Sequence, residues 1–201
     1  MQKLVVIISL IGLLTSIVVG NYDYYDCAKI RDLVALPEID YSKYLGEWYE
    51  LYHSNGFYFD KDCMCTNANY SVNKDQSIRV VNSCIKYGKE ITSVGKANYE
   101  INNSYGALDV SFYHGLKAPY YIFYLSKESI YNEYEYAGVM SCSNIPFFGG
   151  INIWILGRDS EHVDNNEIKK ILYNLIELGF KDNIKNLIMT NHSHKICDNN
   201  N

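Results

Sequence analysis

From Gly46 to Arg158 the chain runs as short β-rich apolar stretches separated by turn residues, and a helical period is absent throughout. The stretches predict strands over 46–54, 66–73, 77–85, 91–101, 106–113, 119–126, 134–142 and 150–158. Hairpin signals divide them: Asn73-Lys74-Asp75, Tyr87-Gly88-Lys89, the segment 102–106, the stretch from Gly115 to Pro119, and Gly149-Gly150. After Arg158 the period changes to that of a helix, with Ile168, Ile171, Leu172, Leu175 and Leu178 on one face. Asp164 is placed to cap this helix, Glu167 to complete a capping box and Gly179 to end it. The run 185–189 adds a candidate ninth strand.

Eight sequential antiparallel strands left as an open sheet would carry two bare edges, and closing them into a barrel removes both. The pattern therefore predicts an all-β fold, an eight-stranded antiparallel up-and-down β-barrel with one C-terminal α-helix packed outside. An immunoglobulin-like sandwich competes for the strands but not for a terminal helix of this length.

The first twenty residues change the picture of where the chain works. Lys3 is followed by an apolar or small stretch from Leu4 to Val19, and Val18 and Gly20 have the spacing that signal peptidase cuts. This predicts a signal peptide over 1–20 and a single domain over 21–201. The stretch is short for a membrane anchor and has no basic stop-transfer cluster after it. The formal net charge is −5, and no basic stripe interrupts it, which argues against nucleic acid as a partner. All six cysteines, Cys27, Cys63, Cys65, Cys84, Cys142 and Cys197, lie beyond the predicted cleavage point. An even number in an oxidising compartment favours three disulfides, without choosing their pairing. Asn69-Tyr70-Ser71, Asn102-Asn103-Ser104 and Asn191-His192-Ser193 are glycosylation sequons, which puts Asn69, Asn102 and Asn191 forward as acceptors.

At Gly46-Glu47-Trp48 the sequence resembles the first signature of the lipocalins, and Trp154-Ile155-Leu156-Gly157-Arg158 resembles their third. The likeness is greatest to the branch that holds apolipoprotein D and the bacterial outer-membrane lipocalins. Cys65 to Ser71, Ala118 to Ile122 and Tyr136 to Cys142 each resemble a segment of that branch, in the same order. The second family signature falls on Tyr131-Asn132-Glu133 and departs from it. Barrel geometry agrees with the two stronger motifs, because the start of the first strand and the end of the eighth meet at one end. Trp48 and Arg158 then form a closed-end pair, a cation-π contact of roughly 0.5–2 kcal/mol. The blander alternative is a core aromatic and an unrelated surface cation.

The resemblance implies Cys27–Cys142 and Cys65–Cys197. Cys63 and Cys84 are left over, and the hairpin around 73–77 brings their strands close enough for a Cys63–Cys84 bridge. A metal site from Cys63 and Cys65 with His192 and His194 is the competing use; with oxidised partners at hand, no metal and no cofactor are expected.

The resemblance also implies that Tyr70 and Trp154 face a ligand. Strand parity adds Val72, Asn152 and Leu156, with Phe112, Tyr120 and Tyr136 as further candidates. Any of these can instead be packed core, since a narrow barrel is readily filled by its own side chains. The expected function is a secreted carrier of a small hydrophobic ligand: a lipid, sterol, retinoid or pigment. The loops opposite Trp48 carry Phe57, Tyr58, Phe59, Phe147 and Phe148, an apolar rim for a membrane or lipoprotein surface, or a lid folded inward. Two alternatives stand beside the carrier. One is a secreted interaction or lipid-surface-binding protein with a filled cavity; the other is a lipocalin-type isomerase, which would need a free thiol. No hydrolytic motif is present, and an enzyme is not expected.

Overall fold

The structure, a computed structural model, describes residues 25–55, 61–102, 105–112, 117–144 and 150–197. Each predicted strand forms: β1 (Gly46–Ser54), β2 (Met64–Val72), β3 (Ile78–Lys86), β4 (Lys89–Tyr99), β5 (Ala107–Ser111), β6 (Lys117–Leu125), β7 (Tyr136–Ser143) and β8 (Gly150–Gly157). Neighbours in sequence pair antiparallel, and β1 pairs with both β8 and β2. The ring is thereby closed, so that the backbone groups of a sheet edge find partners. A ninth strand, β9 (Leu187–Met189), lies outside the ring against Tyr52–Ser54 of β1.

Among the described residues five helical segments lie about the barrel: α1 (Cys27–Val34), α2 (Tyr41–Tyr44), α3 (Asn165–Glu177), α4 (Lys181–Ile184) and α5 (His194–Cys197). The long one starts where its cap predicts, with the Asp164 carboxylate accepting from Asn166 N at 2.8 Å. The expected capping box does not form. Glu167 accepts from the Tyr124 hydroxyl at 2.8 Å, and the Asp164 N–H donates to the Tyr136 hydroxyl at 2.7 Å. Two strand tyrosines thus satisfy the helix end and fix it to the barrel. Among the described residues no helix is long and apolar enough to cross a membrane.

Alternation sorts the apolar residues into two cores. Ile151, Ile153 and Ile155 of β8, with Tyr121, Phe123 and Met140, point outward and pack under Val34, Ile168, Ile171 and Leu175 of α1 and α3. Trp48, Val80, Leu108, Ile122, Val139 and Leu156 point inward. Bulges in β1 between Glu50 and Tyr52, and in β6 between Ile122 and Tyr124, reset the parity within a strand. β7 pairs with β8 without a bulge, and Ala137 and Val139 are its inward residues, so Tyr136 belongs to the outer face and packs in the core under α3. Its expected place in the ligand cavity is corrected on that ground.

The disulfides are Cys27–Cys142, Cys63–Cys84 and Cys65–Cys197. The first pins α1 to β7, and the third pins the segment after β9 to β2. With Cys63 and Cys65 both oxidised, neither offers a thiolate to a metal.

Candidate functional site

The barrel interior begins at a sealed floor. Trp48, wholly buried, lies under the guanidinium of Arg158, whose carbon is 3.8 Å from the ring centroid. The same guanidinium donates to the carbonyls of Lys43 (3.2 Å), Tyr44 (3.3 Å), Leu45 (2.8 Å), Glu47 and, through Nε, Tyr134 (3.1 Å). Burial pushes its pKa down, the desolvation of the cation outweighing the acidic groups around it. The segment 40–47 arcs over this end because its carbonyls are gathered by one side chain. Gly46 completes the arc at φ +92°, and a Cβ there would stand 3.3 Å from Arg158 Nη1.

Tyr44, from α2, inserts its ring into the floor. Its centroid is 5.2 Å from that of Trp48 and 5.5 Å from that of Tyr70. Its hydroxyl meets that of Tyr120 at 2.6 Å, and the Tyr70 hydroxyl meets Tyr120 at 3.0 Å. Burial raises all three phenols: Tyr70 to about 12, Tyr44 and Tyr120 well above their ordinary value. They stay neutral and protonated across the physiological range.

Above the floor the inner wall changes character. Strand register aligns Trp154 with Val139 and Asn152 with Ser141 on β8 and β7, and Ala68, Asn82 and Ser93 across β2, β3 and β4. Phe112 lies over Gly95, where a Cβ would come within 2.8 Å of the ring, so only glycine leaves the ring that place. Floor residues such as Trp48, Ile122 and Val139 have no accessible surface, whereas Tyr120, Asn152, Trp154, Phe112 and Asn82 are only half-buried. On a barrel wall, accessible surface on inward side chains is surface of the lumen.

A second polar group sits on β1. The Glu50 carboxylate, 5 % exposed, accepts from the Thr190 hydroxyl at 2.7 Å and lies 2.8 Å from His53 Nδ1. Glu50 is in register with inward Leu156, and His53 with Trp154, so both lie on the inner face.

Of the expected ligand-facing residues, the structure brings Tyr70, Phe112, Tyr120, Trp154 and Leu156 into one inner core and places Asn152 on the same wall. Leu156 and Tyr70 are buried in the floor. Val72 is corrected: parity assigns it the inner face, but it lies two residues beyond the Tyr70–Gly46 pair that marks the floor, and it is 51 % exposed. Tyr44, Glu50, His53 and Thr190 complete the interior without having been expected there. Asn69 is exposed on β2, Asn102 is exposed, and Asn191 is exposed with its side chain accepting from Ser193 N. Phe57, Tyr58, Phe59, Phe147 and Phe148, and the predicted signal peptide, lie outside the described residues.

A family model described as a lipocalin-like domain matches residues 39–192. The outer membrane lipoprotein Blc of Vibrio cholerae is 30% identical over 153 residues, 74% of this chain and 81% of that protein. Apolipoprotein D of Rattus norvegicus is 33% identical over 123 residues, and the match spans 60% of this chain and 61% of the rat protein. Among solved structures, insecticyanin from the tobacco hornworm Manduca sexta superposes with a TM-score of 0.66 at 17% identity, over 82% of this chain and 86% of that one.

Proposed function

This chain belongs to the lipocalin family, and from that premise we propose that it is a secreted carrier that holds a small hydrophobic ligand inside its barrel. The observation that carries the reading is the contrast along the inner wall. The floor is sealed to zero exposure at Trp48, while Trp154, Phe112 and Tyr120 above it keep accessible surface. A lumen walled by aromatic rings with a few polar groups suits an apolar molecule with one or two oxygens: a lipid, sterol, retinoid or pigment. Secretion is part of the proposal and rests on the leader-like segment 1–20 and the three disulfides, with 21–201 as the mature domain. We read the protein as a carrier rather than an isomerase because every cysteine is in a disulfide, which leaves no thiol nucleophile. The apolar loops with Phe57 and Phe147 are proposed to meet a lipid surface at the open end.

The test is to purify the secreted protein from its natural source and identify by mass spectrometry what extracts into organic solvent. A stoichiometric lipophile is expected. The chain has two tryptophans, Trp48 sealed under Arg158 and Trp154 on the inner wall, and the part of the quenching by an added ligand that is lost in Trp154→Phe reports Trp154. A protein that extracts clean and shows no Trp154 quenching by sterols, retinoids or fatty acids would refute the carrier.

A further inference from the structure

Three hydroxyls meet above the floor, and counting their protons fixes where one of them points. Tyr44 is 1 % exposed and Tyr70 7 %. Among the described residues each has one hydroxyl partner, the oxygen of Tyr120. A phenolic proton left unpaired in so apolar a place costs about 1–3 kcal/mol, so each of the two sealed hydroxyls donates to Tyr120. The Tyr120 oxygen then has both lone pairs occupied, and its own proton has no acceptor within the trio. Tyr120 is also the least buried of the three. Its proton therefore faces the lumen, and the two bonds it accepts polarise it into a stronger donor.

We propose that Tyr120 is a fixed hydrogen-bond donor at the bottom of the lumen, and that the ligand enters with an uncharged carbonyl oxygen leading. This deepens the carrier reading and rests on it. A carboxylate head asks for several donors and a cation. The cation nearest the floor, Arg158, lies against Trp48 and gives its hydrogen bonds to the carbonyls of the closed end. A single O–H meets the needs of a ketone or ester oxygen instead. The hydrocarbon remainder then extends upward past Phe112 and Trp154.

Three probes of nearly equal shape test this: methyl retinoate, retinoate and the parent polyene hydrocarbon, titrated by Trp154 quenching into wild type, Tyr120→Phe and Tyr70→Phe. Wild type is expected to prefer methyl retinoate, and Tyr120→Phe to lose about tenfold in affinity for it while leaving the hydrocarbon unchanged. Tyr70→Phe removes a sealed donor yet leaves the Tyr120 proton in place, so it keeps the ester preference even where it lowers stability. The infrared carbonyl band of bound methyl retinoate should sit lower in wild type and Tyr70→Phe than in Tyr120→Phe. If all three probes bind and Tyr120→Phe weakens them equally or not at all, or the carbonyl band does not move, the donor assignment is wrong while the carrier survives. Tighter binding of retinoate than of its ester overturns the uncharged head. If no probe quenches wild type, and sterols and fatty acids fail as well, the carrier itself falls.

Discussion

Replacing Arg158 by leucine should be among the most damaging single changes at the closed end, and its size can be worked from the bonds. Nε serves Tyr134, Nη1 serves Glu47, and Nη2, with two protons, is shared among Lys43, Tyr44 and Leu45. That makes about four effective charge-assisted bonds, each worth about 1.5–3 kcal/mol, with about 0.5–2 kcal/mol more from the indole beneath. Against this stands the cost of desolvating the guanidinium, which shows in its lowered pKa, and the freedom of some carbonyls to turn to water. The net loss should be about 3–5 kcal/mol, the range for breaking a buried charge network. Arg158→Lys keeps the charge over Trp48 but cannot reach carbonyls on both flanks, and should lose about 1.5–3 kcal/mol. Urea unfolding with the disulfides intact, followed by tryptophan emission, reads both through the midpoint at constant slope. If Arg158→Leu costs under about 1 kcal/mol, or Arg158→Lys matches wild type, the carbonyl collar does not hold the floor as argued.

Tyr136→Phe should cost about 1–2 kcal/mol, since it strips the acceptor from the Asp164 N–H at the start of α3, and should leave ligand affinity unchanged because the ring is outside the barrel. Parallel urea and quenching titrations check both halves. Glu50→Ala should cost about 1–3 kcal/mol by removing the carboxylate that both the Thr190 hydroxyl and His53 Nδ1 meet, which leaves Thr190 only the longer contact to His53 at 3.2 Å; amide exchange at 187–190 should quicken first, because Thr190 lies directly after β9. The floor phenols have folded pKa values above the unfolded value of about 10. The unfolded chain therefore releases these protons first, and the stability they contribute, complete below pH about 10, falls as pH rises through their folded values. Absorbance at 295 nm should show the floor trio ionising only in a late step that coincides with loss of native tryptophan emission.

Much of the fold was legible because its signals are local. Strand runs, turn residues and the Asp164 cap each depend on a few adjacent side chains, and the Trp48–Arg158 meeting follows from strand order alone. The interior was less legible, for two physical reasons. Parity names a face but not a height: Val72 shares the parity of Tyr70 and still hangs past the floor, because β1 begins at Gly46. Parity is also broken by bulges, which carry no fixed sequence mark, and the one in β6 makes Phe123 and Tyr124 both outward. The Glu50–Thr190 contact joins residues 140 apart. Nothing in either neighbourhood announces the other.

The abundance of tyrosine is where the two faces must be told apart. Twenty tyrosines suggest an aromatic, hydroxyl-dotted cavity, yet many of them serve the outside. Tyr124 and Tyr136 hold α3, and Tyr41 donates to the Tyr105 carbonyl to fasten the segment below the floor. In each place the ring supplies apolar contact and the hydroxyl closes a polar group that packing would strand. Composition is therefore no evidence for a ligand. What distinguishes Tyr120 is that it accepts from two neighbours that have nowhere else to give, and keeps its own proton for the lumen. A tyrosine whose hydroxyl meets a helix end or a loop carbonyl is structural; one on the inner wall, left a donor by its neighbours' needs, is a place for something else to bind.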